Sequence, residues 1–423
     1  MGREHSRWLR PGLTAQILAA LALGAAFGWG WPGAGASMQI LATVFIRLVL
    51  VVIGPLIFAT LVVGIAGQGD LRRLGILAVR ALGLFAGMSL LALLVAFGLA
   101  NLFRPGFGFG PSTAAVADLG AGPSESFWIR LFPANIADSM ARGDVLQIVV
   151  FSVIFAVAVS LAGEAGRPLL DVCRSLARVM YRFTDLVMLA APVGVFGAAA
   201  SLVSSQGLRV GASFVRLIAA VYVGLAILVF VVYPLLALVF RIPLRAFCRA
   251  VKEPAAVAFA TASASGALPK SMENMEAAGL PRPVVAFTLG TGLNFNPSGS
   301  TVFIGVASLF ILQAFGMPLT FGDQLVLFAT LFVASKGIGG VPRSSLVVIA
   351  AGLPAVGVPP EVVGAGVGLL LGIDPVLDMP RTAVNTVGNC LVTALVAGWQ
   401  GSRIGGTDFG PDGISGLTPA VPE

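Results

Sequence analysis

Long apolar runs separated by short, arginine-rich stretches make up most of the chain. The runs are continuous, whereas a transmembrane β-barrel would alternate apolar and polar residues. About 20 residues at roughly 1.5 Å each cross a hydrocarbon layer of about 30 Å. A signal peptide cut near AGAS is the alternative for the first run. The pattern predicts an all-α polytopic membrane protein whose first six spans lie near 12–31, 40–67, 75–104, 145–162, 183–203 and 212–240.

The chain beyond residue 254 follows a different pattern. The apolar stretch 255–262 meets the turn SASGALP, and the stretch 325–333 meets ASKGIGGVP, before either has crossed a bilayer. Both are predicted to turn back as re-entrant hairpins. Each is followed by a long span with polar residues, 284–315 and 363–399, so the two units form an internal repeat. Paired short segments interrupted by glycine and proline indicate the midplane site of a secondary transporter.

The last span carries charges that a bilayer-crossing helix normally lacks. Its polar residues recur at helical spacing, which confines them to a stripe about 100° wide. A charged side chain at mid-bilayer costs at least about 2.5–3.5 kcal/mol, so the stripe is predicted to face protein or a wet cavity. Ion pairs that only hold helices together are the alternative. The stripe consists of Asp374, Asp378, Arg381, Thr382, Asn385 and Asn389.

The span after the first hairpin contains GTGLNFNPSGST, which cannot hold a regular helix. Pro297 leaves a carbonyl without its donor, and two glycines, Gly292 and Gly299, flank it. Freed carbonyls at membrane depth are tolerated where they line a cavity, bind something or are buried in protein. A kink without a ligand is the alternative.

Composition narrows the class of protein. With 57% hydrophobic and 11% charged residues, the chain cannot be an ordinary soluble protein. The net charge of +7 is therefore attributed to arginines in the loops between spans, which set the orientation of the chain in the membrane, rather than to nucleic-acid binding. Arginines place the N-terminus and the loop near 72–80 in the cytoplasm, so the two hairpins would enter from opposite sides.

The sequence offers few residues that could carry out enzyme chemistry. The single histidine, His5, precedes every predicted span, which removes a serine protease triad and most metal sites. The three cysteines show no CxxC pattern, which argues against structural zinc. Asp374 and Asp378 share one helix, whereas an aspartyl protease dyad needs acids from facing elements. No catalytic residue and no cofactor is predicted.

The polar stripe suits an amphoteric, anionic solute. Arg381 offers a planar fork of donors that matches a carboxylate. Asp378, about one turn away, either holds an ammonium group or pairs with Arg381 when the site is empty. Asn385 and Thr382 offer neutral donors to a second carboxylate. Together these groups describe an amino acid with an acidic side chain.

Four motifs resemble the dicarboxylate/amino acid:cation symporter family, which has the glutamate transporter fold. They are AFATASASGALP, NPSGST (usually NMDGT or NLDGS), ASKGIGGVP and DPVLDMPRTAVNTVGN. The resemblance covers nearly the whole chain. It implies eight transmembrane helices, two re-entrant helical hairpins with inverted repeats and a homotrimer that works as an elevator.

The resemblance also implies a division into scaffold and transport domain. Residues 1–74 would form scaffold spans 1 and 2, and 105–208 would form scaffold spans 4 and 5 with an external loop. Span 3 (75–104) and residues 209–402 would form the transport domain, and 403–423 a cytoplasmic tail.

Family roles carry over to individual positions. Asp378 would bind the substrate ammonium, Arg381 the side-chain carboxylate, and Thr382 and Asn385 the α-carboxylate. Further contact positions are Ser263, Ser265, Ser300, Val341 and Ser345.

Departures from the family pattern concern the coupling ion. Sodium-coupled members have an aspartate at Ser298 and often one at Asn389, and a hard cation prefers anionic oxygen. Proton coupling is therefore favoured over sodium, with the substrate, Asp374 or Asp378 as proton carrier. An arginine that relatives place at Ala262 or Met379 is missing, and Arg343 either compensates or is a solvated gate residue. The remaining coupling-ion candidates are Gly292, Asn294, Asn296 and Ser335.

The sequence thus predicts a proton-coupled transporter of aspartate or glutamate in the bacterial inner membrane, with both termini cytoplasmic and lipid as its surroundings. Three alternatives are a C4-dicarboxylate carrier, a neutral amino acid symporter or exchanger, and an anion-conducting, channel-like member.

Overall fold

A computed structural model describes residues 13–67, 71–107, 132–142, 145–207, 210–317, 319–336, 344–402 and 404. Within these residues every regular element is a helix, as predicted. The α-helices are α1 (Leu13–Gly30), α2 (Pro32–Ser37), α3 (Gln39–Ala66), α4 (Leu71–Phe103), α5 (Ile136–Arg142), α6 (Val145–Leu161), α7 (Arg167–Met188), α8 (Ala191–Gln206), α9 (Val210–Ile227), α10 (Tyr233–Val239), α11 (Leu244–Thr261), α12 (Ala264–Ala277), α13 (Arg282–Phe295), α14 (Ser298–Ala314), α15 (Phe321–Ala334), α16 (Ser344–Gly352) and α17 (Pro360–Gly398).

Length and apolarity mark three segments of the described chain as able to cross a membrane by themselves: Leu77–Phe103, Gly211–Val239 and Arg282–Ala314. Two bent helix pairs raise this number to five. The other predicted spans coincide with shorter apolar helices, including Val150–Leu161 of α6. The predicted total of eight spans stays a prediction.

The predicted fifth span, 183–203, does not form one helix. The chain bends by 49° between α7 and α8, and Pro192 lies in the first turn of α8. Proline has no N–H to give to the preceding turn, so it suits the start of a new helix better than the interior of a continuous one. The predicted sixth span is continuous from α9 to α10 through a π-helical turn, Leu228–Val232.

The first hairpin consists of α11 and α12. Its first arm begins at Leu244, well before the apolar stretch predicted from residue 255, and continues through Pro254. The turn is made by Ala262, whose φ of +48° lies in the left-handed region that non-glycine residues rarely adopt. Ser263 then caps α12. The second hairpin has α15 as its first arm and α16, with a 3-10 turn at Leu353–Val356, as its second.

Both polar spans are interrupted. The first breaks between α13 and α14 at Asn296 and Pro297, as GTGLNFNPSGST predicts. The second, α17, bends by 79° between Val362–Asp374 and Val376–Gly398. The sequence places a proline at 375, where a helix loses an internal hydrogen bond. The stripe is therefore not carried by one straight helix, and Asp374 lies on the other side of the bend from Arg381.

The helices pack in two groups. In one, α3 packs against α6, α7 and α8, and α1 packs closely on α8. A separate apolar cluster that includes Val62, Ala156 and Leu170 lies inside this group. In the other, α11, α12, α13 and α14 pack on α17, and α14 also packs on α4 and α9. Helix α14 is the most deeply buried of the polar spans, and it carries the broken motif next to α17.

Candidate functional site

Three charged residues of α17 form an ion cluster in the protein interior. One nitrogen of Arg381, Nη2, donates to Asp374 Oδ1 at 2.7 Å and to Asp378 Oδ1 at 2.8 Å, and Nε also donates to Asp378 at 3.2 Å. The side chains of Arg381 and Asp374 are fully buried, whereas that of Asp378 is 15% exposed. In this structure Asp378 therefore pairs with the arginine and is the one of these three residues whose side chain is partly exposed.

The guanidinium of Arg381 also packs on an aromatic ring. Its central carbon lies 4.3 Å from the centroid of Phe303 in α14, a cation–π contact that fixes the plane of the fork. Its Nη1 is buried and has no hydrogen-bond partner among the described residues. A buried donor without an acceptor costs about 1–3 kcal/mol, so this nitrogen favours an incoming anion.

Asn385 joins α17 to the start of α14. Its Oδ1 accepts from the backbone N–H groups of Gly299 at 2.7 Å and Ser300 at 3.1 Å, and its Nδ2 donates to Ser300 Oγ at 3.0 Å. The first N–H groups of a helix have no partner within the helix, so the amide satisfies two of them. A Cβ on Gly299 would lie 2.5 Å from the carbonyl oxygen of Arg381, which explains the glycine. The broken span and the charged stripe thus meet at one place.

Ser298, where the sequence predicted the loss of a sodium-binding carboxylate, has a neutral partner. The hydroxyl groups of Ser298 and Tyr233 lie 2.8 Å apart, and Tyr233 also donates to the carbonyl of Val384 at 3.3 Å. Gly388 leaves room for both hydroxyls, since a Cβ there would lie 2.7 Å from the tyrosine oxygen. Sequence analysis missed Tyr233. The only sequence signal was a tyrosine among aliphatic residues of a span.

A second amide pair lies deeper between α13 and α17. Asn296 Nδ2 donates to Asn389 Oδ1 at 3.0 Å, while Asn296 Oδ1 is buried and accepts no hydrogen bond from the described residues. Asn389 fits because position 292 is glycine, where a Cβ would lie 2.7 Å from Asn389 Oδ1. The same two helices are also joined by Thr288 of α13, which donates to Thr393 of α17 at 2.8 Å. Three coupling-ion candidates, Gly292, Asn296 and Asn389, are therefore in contact.

Other candidates lie apart from the ion cluster. Ser263 accepts from Gly266 N at 3.0 Å within its own turn, and Ser265 is exposed. Ser335 donates to the carbonyl of Phe332 at 2.8 Å. None of these residues is among the described partners of the Arg381 guanidinium. The remaining candidates are Ser345 and Thr382, which are buried, Asn294, whose side chain lies against Gly64 of α3, and Val341 and Arg343, which lie outside the described residues.

Lys336 was also missed by sequence analysis. It follows α15, and its ammonium donates to Ser89 Oγ of α4 and to the carbonyl oxygen of Phe295, the last residue of α13, at 3.2 Å. An ionisable residue at the end of an apolar, membrane-embedded arm is itself a signal of function.

Comparison with known proteins identifies the family of the chain. Residues 13–399 match the model of the sodium:dicarboxylate symporter family. The chain belongs to the sodium:dicarboxylate symporter family. This assignment confirms the resemblance drawn from the four motifs, and with the apolar helices it marks an integral membrane protein.

Relatives in the sodium:dicarboxylate symporter family differ in their named substrates. The chain is 35% identical over 393 residues to the proton/glutamate-aspartate symporter of Bacillus subtilis, covering 91% of this chain and 94% of the relative. It is 35% identical over 404 residues to a proton/sodium-glutamate symport protein of Geobacillus stearothermophilus, with 92% and 95% covered. It is 34% identical over 398 residues to C4-dicarboxylate transport protein 2 of Mesorhizobium japonicum, with 92% and 89% covered.

Proposed function

We propose that the protein is a secondary active transporter that takes up aspartate or glutamate together with protons. The observation that carries this proposal is the buried cluster of Asp374, Asp378 and Arg381, with its partly exposed carboxylate and its unpartnered arginine nitrogen. A carboxylate of the solute would take the Arg381 fork, and Asp378, released from the arginine, would bind the solute's ammonium group.

Charge supports an amino acid and a coupled cation. Among the described residues, the cluster pairs two carboxylates with one guanidinium. An acidic amino acid brings a net charge of −1, and burying this charge in a low-dielectric site is unfavourable. Entry of one or more cations with the solute would relieve that cost, which supports the proposal of cation symport.

The proton is favoured over sodium because the neighbouring ligands are neutral. Ser298 bonds Tyr233, and Asn389 bonds Asn296, so neither position offers the anionic oxygen that a hard cation prefers. The unpartnered Asn296 Oδ1 is suited to a weak sodium site, and three relatives are named for both proton and sodium. Proton coupling with weak sodium binding fits these features.

An elevator movement is proposed from the resemblance to the family. The group formed by α4 and α9 to α17 would slide as a transport domain against a scaffold of α1, α3 and α6 to α8, in a homotrimer with both termini in the cytoplasm. A small apolar cluster between α3, α6 and α7 lies within the scaffold group, while the main apolar core contains residues of both groups.

The experiment is uptake of labelled aspartate into proteoliposomes with proton and sodium gradients imposed separately. Uptake driven by an inward proton gradient and abolished by a protonophore is expected. Liposomes without protein are the control. A strict requirement for sodium would overturn the proton coupling, and a substrate-independent anion current without coupled uptake would favour the channel-like alternative.

C4-dicarboxylate transport is the second candidate, because relatives of nearly equal identity carry that name. Succinate lacks an ammonium group and leaves the charge of Asp378 unbalanced. We therefore expect succinate to compete with labelled aspartate only weakly. Binding of succinate without binding of aspartate would reverse the assignment.

A further inference from the structure

The second hairpin is tied to two other helices by one lysine. Lys336 lies at the end of the hairpin's first arm, where its ammonium donates to Ser89 of α4 and to the carbonyl of Phe295. The same ammonium lies 4.7 Å from the ring centroid of Phe332. In the described chain all three partners are uncharged, and the lysine side chain is partly buried.

The carbonyl of Phe295 is available because the span is broken. In a continuous helix it would accept from the N–H of residue 299, but Gly299 donates to Asn385 instead. This oxygen also lies at the C-terminal end of α13, where the helix dipole attracts positive charge. The break between α13 and α14 thus leaves a carbonyl oxygen that can accept from a cation.

The three partners of the Lys336 ammonium are groups that could also bind a free monovalent cation. A hydroxyl oxygen, a freed carbonyl and the face of an aromatic ring each attract positive charge without adding a negative one. A divalent ion would require carboxylates. In this chain the positive charge is covalently attached to the hairpin.

We propose that the ammonium of Lys336 is a tethered cation that holds the second hairpin on α4 and α13 and fills a place that a mobile monovalent cation would otherwise take. Removing the ammonium should then leave the oxygens of Ser89 and Phe295 for an added cation. The consequence for uptake rests on the transport function proposed above. Cation binding can be measured on the purified full chain without any transport.

Thermal stability of the purified protein in choline, sodium, potassium and lithium chloride at equal ionic strength tests the proposal. The wild-type melting temperature in each salt is the baseline, and it includes any effect of weak sodium binding at Asn296. Lys336→Gln should melt lower in choline and recover by at least about 2 °C, in a saturable way, with one of the smaller cations. Lys336→Arg keeps a cation and should behave as wild type. Lys336→Met serves as a second variant if the glutamine variant is poorly recovered.

Lys270→Gln is the matched control, because this lysine is partly exposed on the first hairpin and pairs with Glu253 and Glu273. It should show no cation-specific recovery. The proposal is wrong if neither neutral variant of Lys336 gains a cation response, or if wild type responds as strongly as they do. Cation recovery in the neutral variants without aspartate uptake in any variant would support the tethered cation and refute the proposed function instead.

Discussion

The two polar clusters on α17 differ in how their members are connected. Among the described residues, the two ion pairs of the charged cluster each join two positions of α17, and the guanidinium of Arg381 also packs on Phe303 of α14. The neutral cluster around Asn385, Tyr233 and Asn296 connects α17 to α10, α13 and α14. A cluster within one helix can exchange partners without separating helices, whereas a cluster between helices holds them together. We infer that the charged cluster binds the solute and the neutral cluster supports it.

Removing the arginine should have the largest effect. Arg381→Ala breaks the fully buried ion pair with Asp374, and breaking a buried pair costs about 3–5 kcal/mol. We expect aspartate affinity to fall more than about 100-fold, because a carboxylate of the solute loses its charged donor. Calorimetric titration of the purified protein with aspartate measures this loss of affinity.

Arg282→Ala is the control for this variant. Its side chain is 84% exposed at the start of α13, with its Nε 3.9 Å from Glu276, so its loss should leave both affinity and stability nearly unchanged. Equal affinity in Arg381→Ala and wild type would mean that the charged cluster only joins parts of α17.

Removing the amide that joins α14 to α17 should have an intermediate effect, mainly on stability. Asn385→Ala leaves the N–H groups of Gly299 and Ser300 buried without an acceptor, at about 1–3 kcal/mol each. Asn385→Asp keeps the oxygen that accepts from both N–H groups and places its charge at a helix N-terminus, where an anion is favoured. The melting temperature should therefore fall clearly in the alanine variant and recover in the aspartate variant.

Uptake separates the two Asn385 variants in another way. The added carboxylate of Asn385→Asp would repel an anionic solute, so aspartate uptake should stay low although stability returns. If Asn385→Ala melted at the wild-type temperature, the neutral cluster would not be a supporting framework.

Sequence reasoning reached the charged cluster because helical spacing places its members on one face. It also located the break at Asn296 and Pro297, since proline and glycine have direct backbone consequences. The hydrogen bonds of the neutral cluster and of Lys336 join residues 41 to 247 positions apart, which no local pattern encodes. The bend near Asp374 was missed because an ideal helix was assumed across a proline.

The smallest expected effect is that of removing a single hydroxyl group from the neutral cluster. Tyr233→Phe removes the group that bonds Ser298 and Val384, and should lower stability by about 1 kcal/mol. Tyr222→Phe is the matched control. That hydroxyl donates to Val376 at 3.0 Å, but the side chain is exposed, so its loss should cost less.

Ser298→Ala combined with Tyr233→Phe should cost less than the sum of the two single changes, because both partners of one buried bond are then removed together. Additive effects in chemical or thermal unfolding would show that the two hydroxyls do not act as a pair, and the neutral cluster would then reduce to the bonds of Asn385 and Asn296.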